Sequence, residues 1–189
     1  MDPDGPSTIS VAVGASAWRT HLADPEEICR RAAKAALARP PMPSWLVRAE
    51  VSVLLADDAT VRRLNAAWRG QDRATNVLSF PTFDRIPEAA PGHPTEGPVP
   101  LGDVVLALET VRAEAEAAGK PLADHASHLV VHGCLHLLGY DHQDSADAAL
   151  MESLERAALG RLGIADPYAG DALGSTSAAG DEPALESIR

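Results

Sequence analysis

The stretch "PLADHASHLVVHGCLHLLGYDH", Pro121–His142, decides how the chain folds. As a helix it is apolar nearly all round, so it has no face to give to water and belongs at the domain centre. Yet three of the chain's seven histidines, His132, His136 and His142, sit in its second half. Residues four apart on a helix differ by about 40° around the axis and roughly 6 Å along it, so His132 and His136 aim at one point. Gly139 is placed to end the helix in a left-handed turn, after which "YD" brings His142 back to that point. Three neutral nitrogen donors with a fourth position left open are what a catalytic zinc requires. A single histidine on a buried helix is usually a hydrogen-bonded structural residue. Three at this spacing, with a chain-reversing glycine, point to a metal.

The pattern HxxxHxxGxxH has the spacing of the metzincin proteases, HExxHxxGxxH. Here Gly133 stands where those enzymes carry their glutamate base. A glycine can neither take a proton from a metal-bound water nor return it to an amine, so the metal centre is kept and the peptidase route is not. His128 continues the stripe. A fourth ligand there would close the site and make it structural; we read His128 instead as lying behind the ligands or on the substrate side. His125 reads either as exposed polar filler or as a functional residue.

Outward from this helix, residues 1–8 read as a disordered start and Ile9–Val13 as a short strand. "ADPEEICRRAAKAALA" is a helix with Asp24 as N-cap and Pro25 in its first turn. "WLVRAEVSVLL" alternates Val47, Ala49, Val51, Val53 and Leu55 on one face and predicts a strand. "DDATVRRLNAAW" follows as an amphipathic helix capped by Asp57 or Asp58. "NVLSF" is a brief strand ending at Pro81, and residues 82–100 form a long Pro-rich loop. "GDVVLALE" is a buried strand, "TVRAEAEAAG" a helix ended by Gly119, and "SADAALMESLERAALGRLG" the closing helix. Strands and helices intermix without a regular βαβ rhythm, which predicts an α+β class: a mixed α/β sandwich with a small mixed sheet around the central histidine helix. One domain spans 9–168, and 169–189 is a disordered acidic tail.

At 189 residues the chain suits one well-buried core. No apolar run approaches the roughly 20 residues that cross a bilayer, and the start lacks a secretory pattern. The expected location is the cytoplasm, without a membrane partner. Cys29 and Cys134 are too few and too far apart for a disulfide framework and read as small core residues. A net charge of −11 argues against a general nucleic-acid coat but leaves room for a local basic cleft.

The second informative stretch is "LNAAWRGQDRATNVLSFP", residues 64–81. Arg69 beside Gly70, with Arg73, Thr75, Asn76 and Ser79 following, suits a bidentate grip on phosphate. An exposed arginine favoured by the helix dipole fits the same pattern, and the residues alone leave both readings open. Arg62, Arg63, Arg69, Arg73 and Arg85 are expected to line mostly one side of the metal cleft.

Together, "LNAAWRGQDRATNVLSFP", "LGDVVLALETV", "HASHLVVHGCLHLLGYDH" and "LGIADPY" resemble the YbeY family of bacterial rRNA maturation factors, single-strand-specific metallo-endoribonucleases. The resemblance runs from about residue 48 to Tyr168. It implies one Zn2+ per chain on His132, His136 and His142, and Arg69 as the cleft arginine needed for activity. It also implies trimming of the 3′ end of small-subunit rRNA and a part in ribosome quality control. Expected partners are single-stranded RNA, the ribosome or its proteins and a GTPase; DNA is not expected. Asp141 is the carboxylate nearest His142 in sequence, fit to orient a ligand or water, or to cap the turn. Whether water or the RNA 2′-OH attacks is left open. The alternatives are a zinc-stabilised ribosome-associated partner without catalysis, and a metalloprotease.

Overall fold

The computed structural model describes residues 7–38, 43, 46, 48–87, 97–142 and 144–169, so the expectations on 1–6, on 88–96 and on the tail from 170 lie outside the described residues. The elements run β1 (Thr8–Val13), α1 (Trp18–His21), α2 (Pro25–Leu37), β2 (Ala49–Ala56), α3 (Asp58–Arg69), β3 (Val77–Pro81), β4 (Val99–Ala107), α4 (Leu108–Ala117), α5 (Leu122–Leu137) and α6 (Ser145–Arg161). The sheet order is β1-β2-β4-β3. β1, β2 and β4 are parallel, and β3 pairs antiparallel with β4. The architecture is α+β, as the sequence predicts.

Local chemistry explains the elements. Asp24 caps α2 by accepting from the Glu27 N–H, and Pro25 opens the helix. Of the two aspartates offered for α3, Asp57 is the cap, accepting from Thr60 N–H at 2.8 Å. Asp58 reaches across to α4, where it accepts from the Thr110 N–H and hydroxyl. Two expectations are corrected. Thr8 is part of β1 and not of a loose start. β4 begins at Val99, ahead of Gly102, because the β2–β4 register shifts between Glu50 and Val51 and lets Val99 and Pro100 pair with Ala49 and Glu50. α1 was not foreseen: at four residues it leaves no periodicity, and it is fixed by the fully buried Trp18, whose indole N–H donates to the Ala56 carbonyl at 2.8 Å.

The front face of the sheet, Val51, Val53, Leu55, Val104 and Leu106, packs with α2, α5 and α6 in the main core. The back face, Ala56, Leu78, Val105 and Ala107, is covered by Val61 and Leu64 of α3. A hollow of about 730 Å³ opens on that back face beside Trp68, Phe80, Ser52 and Asp103. The arginine group is therefore divided. Arg62 and Arg63 sit on α3 around a surface hollow, with Arg62 bonded twice to Asp72 at 2.6 and 2.7 Å. Arg85 lies with its Cα close to Gly139 at the histidine end of α5. Arg62 and Arg63 do not join the group expected beside the histidines, because α3 covers the face of the sheet opposite α5.

From Ala126 to Leu138 every residue of α5 and its cap except His128 is buried. Full burial of Leu129, Leu135 and Leu137 contributes about 1.5–3 kcal/mol each. Gly133 lets the helix sit this close to the sheet. A Cβ there would lie 2.7 Å from Val104 Cγ1 and 3.1 Å from Ser79 Oγ, and the Ser79 hydroxyl donates to the Gly133 carbonyl at 3.3 Å. We expect Gly133→Ala to cost about 1–3 kcal/mol by overpacking. Urea unfolding measures it, and an unchanged midpoint would show that the contact is slack.

Candidate metal centre

α5 ends as the sequence predicts. Gly139 adopts φ 84°, its N–H donates to His136 O, and Tyr140 N–H donates to Leu135 O. These two bonds close a Schellman turn. The turn brings His142 beside the helix, with its ring centroid 5.8 Å from that of His132 and 5.3 Å from that of His136. One nitrogen from each of the three rings falls within 4.8 Å of the other two. Tetrahedral zinc at about 2.0–2.1 Å from each donor asks for nitrogens roughly 3.4 Å apart, so small ring rotations complete the fit.

The outer atoms of the rings show what the inner atoms do. His132 Nδ1 lies 2.6 Å from Glu155 Oε1, and His136 Nδ1 lies 2.9 Å from the Tyr140 carbonyl oxygen. Both partners accept, so each Nδ1 carries the proton and each Nε2 presents a lone pair. The two Nε2 atoms are 2.9 Å apart. Burial lowers the His132 pKa, and burial with the neighbouring His132 and His142 lowers that of His136 to about 3, so neither ring supplies a proton between them at neutral pH. Two lone pairs held face to face in a buried site are a donor set built for a cation. With His142 they would hold one divalent ion and leave a position open.

Glu155 is the residue that sequence reasoning missed. It lies on α6 and is 1% exposed. Burial opposes its ionisation, but hydrogen bonds from His128 and His132 outweigh that and hold the carboxyl below its ordinary range. His128 Nε2 is 3.4 Å from Glu155 Oε2, which places His128 behind the ligands. His125 is not exposed filler: its side chain is 13% exposed and its Nε2 lies 2.8 Å from Glu114, which also accepts from Asn76. Asp141 caps the turn through the His142 N–H at 2.9 Å. Ser79 faces α5 and spends its hydroxyl on Gly133.

Arg69 is the last residue of α3 and is half-buried, with its Nη2 shielded from solvent. Gly70 turns the chain with φ 68°. Buried Asn65 pins the following loop by donating to the Arg73 carbonyl at 2.9 Å, and Arg73 Nε donates to Gln71. The loop feeds β3, whose Ser79 touches the helix that carries the histidines. Cys29 and Cys134 are fully buried, and burial pushes both thiols up to about 12, so neither is a ligand or nucleophile.

A buried helix on a mixed sheet, with three histidines converging at its end, defines an α+β domain whose donor set could hold a metal ion. The family model described as "Endoribonuclease YbeY" matches residues 18–163. The Endoribonuclease YbeY of Paramagnetospirillum magneticum is 54% identical over 160 residues, covering 85% of this chain and 94% of that protein. One from Rhodopseudomonas palustris is 47% identical over 164 residues, covering 87% and 94%. A solution structure, TM1509 from Thermotoga maritima, aligns with a TM-score of 0.48 at 21% identity, over 85% of this chain and 98% of that one. The chain belongs to the YbeY family.

The buried, neutral histidines make stability depend on pH. Unfolded, His136 binds a proton near pH 6.5; folded, only near 3. The unfolded state binds more protons across that window, so stability is full above about 6.5 and falls as the pH drops, by up to about 1.4 kcal/mol per pH unit from this residue. We expect the metal-free chain to melt at a lower temperature at pH 5 than at pH 7.5, and His136→Leu to reduce the difference. Melting curves in chelator that show no such reduction would contradict the neutral assignment.

Proposed function

We propose that this chain cuts single-stranded RNA at a zinc ion held by His132, His136 and His142, with Arg69 as the arginine of the reacting centre. Its family membership makes it an endoribonuclease of rRNA maturation, a hydrolase of RNA phosphodiester bonds. The observation that supports the reading most directly is the pair of buried Nε2 lone pairs facing each other at 2.9 Å, aimed where a cation is needed.

A bound divalent ion supplies Lewis-acid polarisation of a phosphodiester oxygen or of a water. The chain's own residues do the rest. His132 and His136 arrive in the ligating tautomer and lose no free energy to deprotonation at neutral pH. The guanidinium of Arg69 offers paired N–H donors to non-bridging phosphate oxygens and opposes the charge that grows as the phosphorane forms. Gly133 removes the carboxylate that a zinc peptidase would use. Its Cα faces Val104 and Ser79 of the sheet, so a glutamate there would run into the core. That speaks against the peptidase alternative.

The finer assignments belong to the same proposal: residues 9–168 as the catalytic domain, the small-subunit rRNA 3′ end as substrate, and a place in ribosome quality control. Ribosomal proteins or a GTPase would deliver the acidic chain to its RNA in the cytoplasm. Among the described residues no helix is long and apolar enough to cross a membrane.

The test is cleavage of an end-labelled single-stranded RNA by zinc-loaded protein, beside Arg69→Ala and His136→Ala. We expect cutting by the unsubstituted chain, a loss of about 10²–10³-fold in Arg69→Ala, and no cutting in His136→Ala. Cutting that survives both substitutions would overturn the assignment. A 2′,3′-cyclic phosphate on the product identifies the 2′-OH as nucleophile; a 5′-phosphate with a 3′-hydroxyl identifies water.

A further inference from the structure

The segment after α6, Ile164–Tyr168, carries the "IADPY" end of the chain's recognisable pattern. It is fastened at several points. Gly163, with φ 74°, turns the chain out of α6, and Ile164 N–H donates back to Leu159 O. Asp166 pairs with Arg156 and accepts from the Tyr168 N–H at 2.9 Å. Lys120 Nζ donates to the Pro167 carbonyl at 3.3 Å. The Tyr168 ring then lies under the Arg156 guanidinium, 4.9 Å from its carbon, and 5.9 Å from the His128 ring. The Tyr168 hydroxyl donates to Glu155 Oε2.

That last bond bears on the metal centre. Glu155 has two oxygens and three donors. Tyr168 and His128 both fall on Oε2, and Oε1 is left to His132 Nδ1. The carboxylate is therefore held on one side by the C-terminal segment and presents its other oxygen to a ligand histidine. We propose that Tyr168, acting through Glu155, is a positioning residue of the metal centre, and that Ile164–Tyr168 is the strap that holds it there. The inference rests on the metal reading of His132, His136 and His142. The hydroxyl fixes the carboxylate, the carboxylate fixes the His132 ring and its tautomer, and the ring keeps Nε2 on the ion. Hydrogen-bond partners behind a ligand histidine typically contribute about 10–100-fold in metal affinity.

The experiment uses the full chain and cobalt(II), whose visible absorption reports coordination geometry. Cobalt and zinc affinities are measured by competition with a chromophoric chelator, and the melting temperature is taken without metal. Tyr168→Phe keeps the ring under Arg156 and removes only the hydroxyl; Glu155→Gln keeps the shape and removes the charge. We expect both variants to lose about 10-fold or more in affinity and to shift the cobalt spectrum, with the metal-free Tyr168→Phe melting close to the unsubstituted chain. Tyr168→Phe with unchanged affinity and spectrum overturns the proposal. So does a loss of affinity matched by a large drop in the metal-free melting temperature, because Tyr168 would then support the fold and not the ligand. An unsubstituted chain that binds neither ion overturns the metal reading, and this inference falls with it.

Discussion

Two imidazoles inside a helix that has no solvent face must have their polar atoms satisfied, and the rest of the site follows from that constraint. His132 and His136 each have one nitrogen paired outward, to Glu155 and to the Tyr140 carbonyl. What remains is a pair of acceptors 2.9 Å apart with no donor between them. An unpaired buried polar group costs about 1–3 kcal/mol, and two aimed at each other cost more. A cation turns that liability into a binding site. A divalent ion at this point would accept both lone pairs, and its binding would then be linked to the stability of the fold.

The convergence of the three histidines was legible in the sequence because it is local. Residues 132 and 136 are related by the helix repeat, and Gly139 by the turn that only a left-handed residue makes easily. The outer partners were not legible in the same way. Glu155 is 23 residues from His132, and Tyr168 lies 13 beyond Glu155, so only the packing of α6 and its exit brings them together. A faint signal did exist. The buried residues of α6 are Met151, Glu155, Ala158 and Leu159, so an acid sits on an otherwise apolar stripe. A buried acid on such a stripe asks for a partner, and the histidine helix is where to seek one. Sheet order and the register shift beside Glu50 left no local trace either, because both are set between strands distant in sequence.

Gly133 joins fold and chemistry at one position. The spacing alone marks it as the place where a base is missing. The structure adds that the position faces Val104 and Ser79, with no room for a Cβ. Close helix–sheet packing and peptidase chemistry thus make opposite demands on that residue, and this chain meets the first. The arginines are separated for a related reason. With α5 and α3 on opposite faces of the sheet, Arg62 and Arg63 cannot share a wall with the histidines. Arg85, by contrast, has its Cα beside Gly139 at the histidine end of α5.

Everything proposed for this site needs three imidazoles to hold one metal and leave a position open. X-ray absorption at the metal edge, on the zinc-loaded full chain, tests it most directly. Three imidazole nitrogens and one oxygen at about 2.0–2.1 Å are expected around the metal, with one imidazole lost in His142→Ala. Four protein ligands, or a shell unchanged by that substitution, would contradict it.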